Sequence, residues 1–322
     1  MNCYDIIGDI HGHAEALKAL LASMGYRETG GVWRHPERQA IFVGDFIDRG
    51  SRQVETVDIV RRMVDNGSAQ AIMGNHEFNA IAWYLPDPDQ PGEYLRPHHS
   101  PKYGDKNFQQ HKAFLAEVEG TTRHKEIIDW FLKLPLWLEL DGIRVVHACW
   151  HQGFMDHLAS RLAEGNRLTT EFMLEATREP AIEADKDTPE PSVFKALEAL
   201  TKGIEIPLPH PHTFLDKDGH ERRRVRIRWW DKAAVTYRQS VLLADREREA
   251  LPDHPIPEHV RIGHAGGKPL FIGHYWLTGV PQVLSGQVAC VDYSVAKGGR
   301  LVAYRWDGEA VLDETKFHWV GE

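Results

Sequence analysis

Residues 42–51 read FVGDFIDRGS, an apolar strand-like run that ends in two aspartates, an arginine and two glycines. Charge at the end of a buried strand is costly unless something answers it. Two neighbouring stretches repeat the pattern, CYDIIGDIHG at 3–12 and AQAIMGNHE at 69–77. Between them, AEALKALLASMGY (14–26) and QVETVDIVRRMVDNG (53–67) carry apolar residues at helical spacing and stop at Gly25 and at Asn66–Gly67. Strand and helix signals that alternate in this way predict an α/β fold with parallel strands and right-handed crossovers. Such sheets hold their ligands beyond the carboxyl ends of the strands. All three strands end in polar clusters: Asp9 and His11, then Asp45, Asp48 and Arg49, then Asn75 and His76. The charges are therefore expected to share one site.

Downstream, WYLPDPDQPGEYLRPHHSPKYGD (83–105) reads as a long loop, of the kind that often borders an active site. KNFQQHKAFLAEVEG (106–120) and HKEIIDWFLKLP (124–135) look helical. LWLELDGIRVVHACW (136–150) reads as a hairpin turning at Asp141–Gly142 and delivering His147, and PLFIGHYW (269–276) as a strand ending on His274. Residues 151 to about 260 hold helical runs (155–164 and 191–203) and a turn at Asp218–Gly219 that leads into ERRRVRIRWW (221–230). As a strand, that stretch puts Arg222, Arg224, Arg226 and Arg228 on one face and Val225, Ile227 and Trp229 on the other with Arg223. The chain is expected to form one domain over 1–322, with that segment as an insertion.

Asp9, His11, Asp45, Asn75, His147 and His274 together form a ligand set for two divalent cations. Mixed carboxylate, amide and imidazole donors suit Mn²⁺, Fe²⁺ or Zn²⁺ better than Ca²⁺ or Mg²⁺. Asp45 can bridge both ions, and two metals about 3.5–4 Å apart can bind a phosphoryl group and activate a water. Gly8, Gly44 and Gly74 each precede a proposed ligand, where a small residue permits a tight turn.

GDIHG (8–12), GDFIDRG (44–50) and GNHE (74–77) resemble the signature blocks of the calcineurin-like metallophosphoesterases, and specifically of the PPP family of protein Ser/Thr phosphatases and bacterial symmetrical diadenosine tetraphosphatases. VVHACW, FIGHYW and VDYSVAKGGRLVAYR (291–305) resemble the later blocks. The resemblance implies a four-layer α/β sandwich, two mixed β-sheets flanked by helices. It implies that Asp9, His11 and Asp45 hold one ion, Mn²⁺ foremost, and that Asp45, Asn75, His147 and His274 hold the other, with a bridging hydroxide as the attacking group. His76 would protonate the leaving oxygen, Asp48 would hold that imidazole, and Arg49 would bind the phosphate, as Asn75 would also help to do. Two features stand apart: Ala148 and Cys149 follow His147 where the protein phosphatases carry two glycines, and no second histidine follows two residues after His274.

The implied activity is hydrolysis of phosphomonoesters on a phosphoprotein, with symmetrical cleavage of diadenosine tetraphosphate, a dinucleoside polyphosphate, as the alternative and a non-catalytic scaffold as a third reading. Arg226 and Arg228 are candidates for a second anion clamp. Trp229, Trp230, Tyr275 and Trp276 are read as core before base-stacking residues. His98, His99, His151, His210, His212 and His220 are read as surface residues. The net charge of −9 argues against nucleic acid and anionic membranes as partners. Three scattered cysteines, no apolar span and aspartates near the start predict reduced thiols and a cytoplasmic protein, of undetermined oligomeric state.

Overall fold

The computed structural model describes residues 3–215, 219, 221–264 and 266–321. The turn expected at Asp218–Gly219 includes Asp218, and the surface reading of His220 concerns that residue; both lie outside the described residues.

Two mixed sheets carry the fold. In the first, Cys3–Ile7 lies beside Arg38–Phe42 and Arg38–Phe42 beside Ala69–Ala71, both pairs parallel as expected. On the other side of Cys3–Ile7 runs Arg300–Trp306, antiparallel, which also pairs with Asp292–Tyr293 and Phe317–Val320. In the second, Arg144–Val146, Leu270–Ile272 and Val288–Cys290 are parallel. Trp137–Glu139 and Val283–Ser285 are its antiparallel edges. Registers Ile7↔Phe42, Phe42↔Ala71 and Ile272↔Cys290 bring strand ends level, so the residues that follow them emerge together.

Strand alternation explains why the sheets stack. Tyr4, Ile6, Ile41, Val43 and Ile72 of one meet Ile143, Val145, Phe271, Ala289 and Val291 of the other in a common cluster. Ile6, Ile41, Val145 and Phe271 have no exposed surface, and full burial of such side chains contributes roughly 1.5–3 kcal/mol each. On the outer side, Leu17, Leu20 and Leu21 of the Ala14–Ser23 helix and Val57, Val60 and Met63 of the Gln53–Asp65 helix are buried with Ile7, Ala40 and Phe42. Their i, i+3, i+4 spacing makes the apolar stripe.

The structure departs from the sequence reading in two places. AQAIMGNHE is a three-residue strand followed at once by the Asn75–Tyr84 helix, so Asn75 and His76 open a helix. ERRRVRIRWW is interrupted at Arg223: Glu221–Arg222 pairs with Phe214–Leu215, and Arg224–Arg226 with Glu205–Pro207. From Arg224 onward the alternation holds, with Val225, Ile227 and Trp229 buried and the arginines between them half-buried.

Segment 151–260 packs against the second sheet. Its helices Gln152–Ala159, Thr170–Ala176 and Val193–Lys202 contribute Leu158, Met173, Leu197 and Leu200 to the core that also holds Val146 and Ile272. The backbone of Ala148, where the sequence departs from a glycine pair, ties this segment to the second sheet. Its N–H donates to Leu200 O at 2.9 Å, and its carbonyl accepts from Trp229 Nε1 at 3.2 Å and Tyr275 Oη at 3.1 Å. Trp229 and Trp230 are thus core residues, 2% and 7% exposed.

Candidate active site

The strand ends converge on Asp45. Its Oδ2 lies 3.8 Å from His11 Nε2, 3.8 Å from His76 Nε2 and 3.4 Å from His147 Nε2, and it is buried without a hydrogen-bond partner among the described residues. Such separations are near those of neighbouring ligands on one ion bound at about 2.0–2.2 Å. Donor atoms of His11, Asp45 and His76 lie within 4.8 Å of one another, as do those of Asp45, His147 and His274.

The tautomers agree with ligation. His147 Nδ1 donates to Val43 O at 2.7 Å and His11 Nδ1 to Ile47 O at 3.0 Å, which leaves each Nε2 as a lone pair turned inward. His147 Nε2 faces Asn75 Oδ1 at 3.3 Å. Burial opposes protonation of His147, but the Asp45 charge outweighs it and raises its pKa, so the site favours positive charge at this point, as a proton or as a cation. Asp9 Oδ1, His11 Nε2 and His274 Nε2 are likewise buried and unpartnered, while Asp9 Oδ2 accepts from His274 N at 3.1 Å. Burial, with the charges of Asp292 and Asp45, pushes the Asp9 carboxyl well above the usual carboxylate range. Three buried carboxylates demand positive charge beside them. On these grounds the residues fit divalent ions.

His76 is held by a carboxylate where His11 and His147 are held by backbone carbonyls. Its Nδ1 lies 2.5 Å from Asp48 Oδ2; burial opposes its protonation, but the charges of Asp45 and Asp48 outweigh burial and raise its pKa. Burial also acts on His11 and pulls it down to about 4, the direction that suits a neutral ligand. His111, from the Gly104–Val118 helix, shares Asp48 Oδ2 at 2.9 Å and is 1% exposed. The sequence reading missed it, since one histidine in an amphipathic helix carries no signal of its own.

Glu77 is the brace. Its carboxylate accepts from Asp45 N at 2.7 Å, Phe46 N at 2.8 Å and Gly74 N at 3.0 Å, tying one strand end to the start of the helix. Asp292 does the same for the His274 loop, accepting from Trp276 N at 2.7 Å and Ser294 N at 3.0 Å. Two glycines are obligatory for packing. A Cβ on Gly74 would stand 2.5 Å from Asp45 N, and one on Gly273 would stand 2.2 Å from Asp9 Oδ1.

Backbone strain gathers here. Eight described non-glycine residues have positive φ, and six of them are His11, Asp45, Asp48, Arg49, His274 and Trp276. Each such left-handed residue costs on the order of 1–3 kcal/mol and persists only where its surroundings impose it.

Above the carboxylates opens a cleft of about 2030 Å³, lined by Arg49, Asn75, His76, His274, Arg226 and Arg228 among others, whereas Asp9, His11, Asp45, Asp48 and His147 lie beneath it. Arg49 is exposed and stands 5.6 Å over the Trp276 ring. Arg226 Nε donates to Lys202 O at 3.0 Å and lies 3.4 Å from Glu205, and Arg228 donates to Gln239 O. Cys149 and Cys290 are free and buried, and burial raises both thiols. No described helix is long and apolar enough to cross a membrane.

The family model for calcineurin-like phosphoesterases matches residues 4–187, more than half of the chain. A bis(5'-nucleosyl)-tetraphosphatase PrpE [asymmetrical] of Oceanobacillus iheyensis is 30% identical over 171 residues, 53% of this chain and 62% of that protein. Its counterpart in Geobacillus thermodenitrificans is 44% identical over 159 residues, 49% of this chain and 60% of that protein. The matched stretches thus span less than two thirds of either relative. A solved protein serine/threonine phosphatase from Saccharomyces cerevisiae is 14% identical, with 99% of this chain and 79% of that chain covered at a TM-score of 0.48. With that family match, two mixed sheets and the Asp, His and Asn side chains gathered at their strand ends, the chain belongs to the calcineurin-like phosphoesterases and is a hydrolase.

Proposed function

We propose that the chain hydrolyses dinucleoside polyphosphates, with diadenosine tetraphosphate as the representative substrate. The charge of the cleft carries this reading. Its described lining holds twelve Lys and Arg but six Asp and Glu, in a chain whose net charge is −9. Local positive excess on an acidic protein selects for a polyanion and steers it inward. A phosphoprotein, the foremost expectation from sequence, presents one phosphate and needs less. The curated relatives are named for tetraphosphatase activity, which supports the same choice.

In this reading Asp9, His11 and Asp45 hold one divalent ion, and Asp45, Asn75, His147 and His274 the other. The oxygen and nitrogen donors favour Mn²⁺, ahead of Fe²⁺ or Zn²⁺. When bound, the ions supply positive charge to the phosphoryl oxygens and an activated water. His76, charged and fixed by Asp48, carries its transferable proton on Nε2 and gives it to the leaving phosphate oxygen. Its Nδ1 bond to the Asp48 carboxylate is what favours it as an acid rather than a ligand, although its Nε2 is close to Asp45. Arg49 offers a fork of donors to the non-bridging oxygens. Arg226 and Arg228, both anchored to backbone carbonyls on the opposite wall, extend the positive surface. We infer that residues 1–322 work as one unit, with segment 151–260 forming that wall.

The test is product analysis with Mn²⁺-restored protein on diadenosine tetraphosphate and on a phosphopeptide mixture, with Asp9→Asn as control. ATP with AMP identifies asymmetrical cleavage, and ADP alone identifies symmetrical cleavage. Turnover of phosphopeptides with kcat/KM well above that for the dinucleotide would overturn the reading.

A further inference from the structure

Arg96, in the loop after the Asn75–Tyr84 helix, is a cation without a counter-ion. Among the described residues its side chain has one hydrogen-bond partner: Nη2 donates to Gln110 Oε1 at 2.5 Å. Its Nε is sealed from solvent and has no partner. No carboxylate forms an ion pair with it among the described residues. Those whose charge reaches it, Glu198 and Asp48, are already engaged, Glu198 by Lys202 and Asp48 by His76 and His111. Burial lowers its pKa to about 10, so it remains charged at neutral pH. A half-buried charge with no ion pair is costly to keep for packing alone.

Its position gives the charge a use. Arg96 lines the cleft on the wall that carries His76, and the Gln110 amide that accepts from it lies 3.4 Å from His76 Nδ1. Asn79 Nδ2 lies 3.4 Å from the same Gln110 oxygen, so Gln110 ties Arg96 and Asn79 to the Nδ1 edge of His76, the edge that faces Asp48. Arg49, across the site beside Trp276, is free to hold the phosphoryl group under attack.

We propose that Arg96, set by Gln110, is the binding site for a second phosphate, further along the chain from the phosphoryl group under attack. The ligand class is a diphosphate or longer polyphosphate chain, and a monoester of a neutral alcohol leaves the site unused. This rests on the proposed function for its biological substrate but not for its chemistry. A guanidinium facing that phosphate tightens binding of the chain through a charge-assisted hydrogen bond.

The test reads binding alone, so it stands apart from turnover. Methylenediphosphonate, two phosphate-like groups joined by an uncleavable bridge, and methylphosphonate, its single-group counterpart, are titrated calorimetrically into the full chain with Mn²⁺ in excess over both. Arg96→Met is expected to weaken methylenediphosphonate by about 10-fold or more, the loss of one charge-assisted hydrogen bond, while methylphosphonate changes less than about threefold. Should Arg96→Met fail to fold, Arg96→Lys keeps the charge and loses the fork, and is expected to weaken methylenediphosphonate alone by about threefold. Equal losses for both ligands, or none for the diphosphonate, overturn the proposal. If the selective loss is seen in an enzyme that leaves diadenosine tetraphosphate intact, the substrate reading falls and the second-phosphate site stands.

Discussion

Replacing Glu77 with Gln tests how the fold holds its ligands. The native carboxylate takes three backbone N–H groups, two on Oε2 (Asp45 and Gly74) and one on Oε1 (Phe46), from a fully buried position. A glutamine has one acceptor oxygen. Its best rotamer keeps that oxygen on Asp45 and Gly74 and turns an NH₂ toward Phe46 N–H, donor against donor. One buried donor then goes unpaired, at roughly 1–3 kcal/mol, and two charge-assisted bonds become neutral ones, each weaker by roughly 1 kcal/mol. These sum to roughly 3–5 kcal/mol, but burial and the Asp45 charge raise the Glu77 carboxyl to about 7 and offset part of it, so the expected loss is about 1–3 kcal/mol. Urea denaturation of metal-stripped Glu77→Gln and native proteins measures it, because without ions the difference reflects the brace alone. A change below about 0.5 kcal/mol would refute the reasoning, and so would a glutamate-specific loss of activity in a protein of unchanged stability.

Other consequences are open to direct measurement. His76→Asn should retain its metal content by elemental analysis while turnover falls roughly 10²–10⁴-fold, and loss of metal instead would make His76 a ligand. His111→Phe removes one of the two imidazoles on Asp48 and should lower kcat about tenfold at unchanged KM, with His111→Asn recovering part of it; an unaltered kcat would confine His111 to packing. Addition of Mn²⁺ to the stripped protein should raise Tm, since a ligand present at 100 times its Kd adds about 2.7 kcal/mol, and a Tm that ignores Mn²⁺ would argue against ions in this site.

The parallel core was legible because it is local: Ile6–Ile7, Ile41–Phe42 and the glycine–aspartate steps after them encode strand, end and turn within a few residues. The same holds for His147 and His274, each closing a short apolar run. What sequence withheld depends on contacts across the fold. His111 and Asp48 stand 63 positions apart in the chain, and Arg96 gains meaning only because no acid forms an ion pair with it among the described residues. The Asn75–Tyr84 helix was hidden because GNHE follows a strand and its nine buried residues show no amphipathic period. ERRRVRIRWW looked continuous, yet its two halves pair with different segments, Phe214–Leu215 and Glu205–Pro207, which alternation alone does not reveal.

The six left-handed residues around Asp45 bear on how this chain would respond to selection for heat tolerance. At Asp48, Arg49 and Trp276 a glycine would relax a backbone strained by roughly 1–3 kcal/mol, offset in part by greater freedom of the unfolded chain. A library screened for survival at high temperature alone would therefore accumulate glycines around the carboxylates and enrich folded, inert proteins. Breeding a hardier catalyst from this scaffold requires that every round of heating be paired with a demand for turnover.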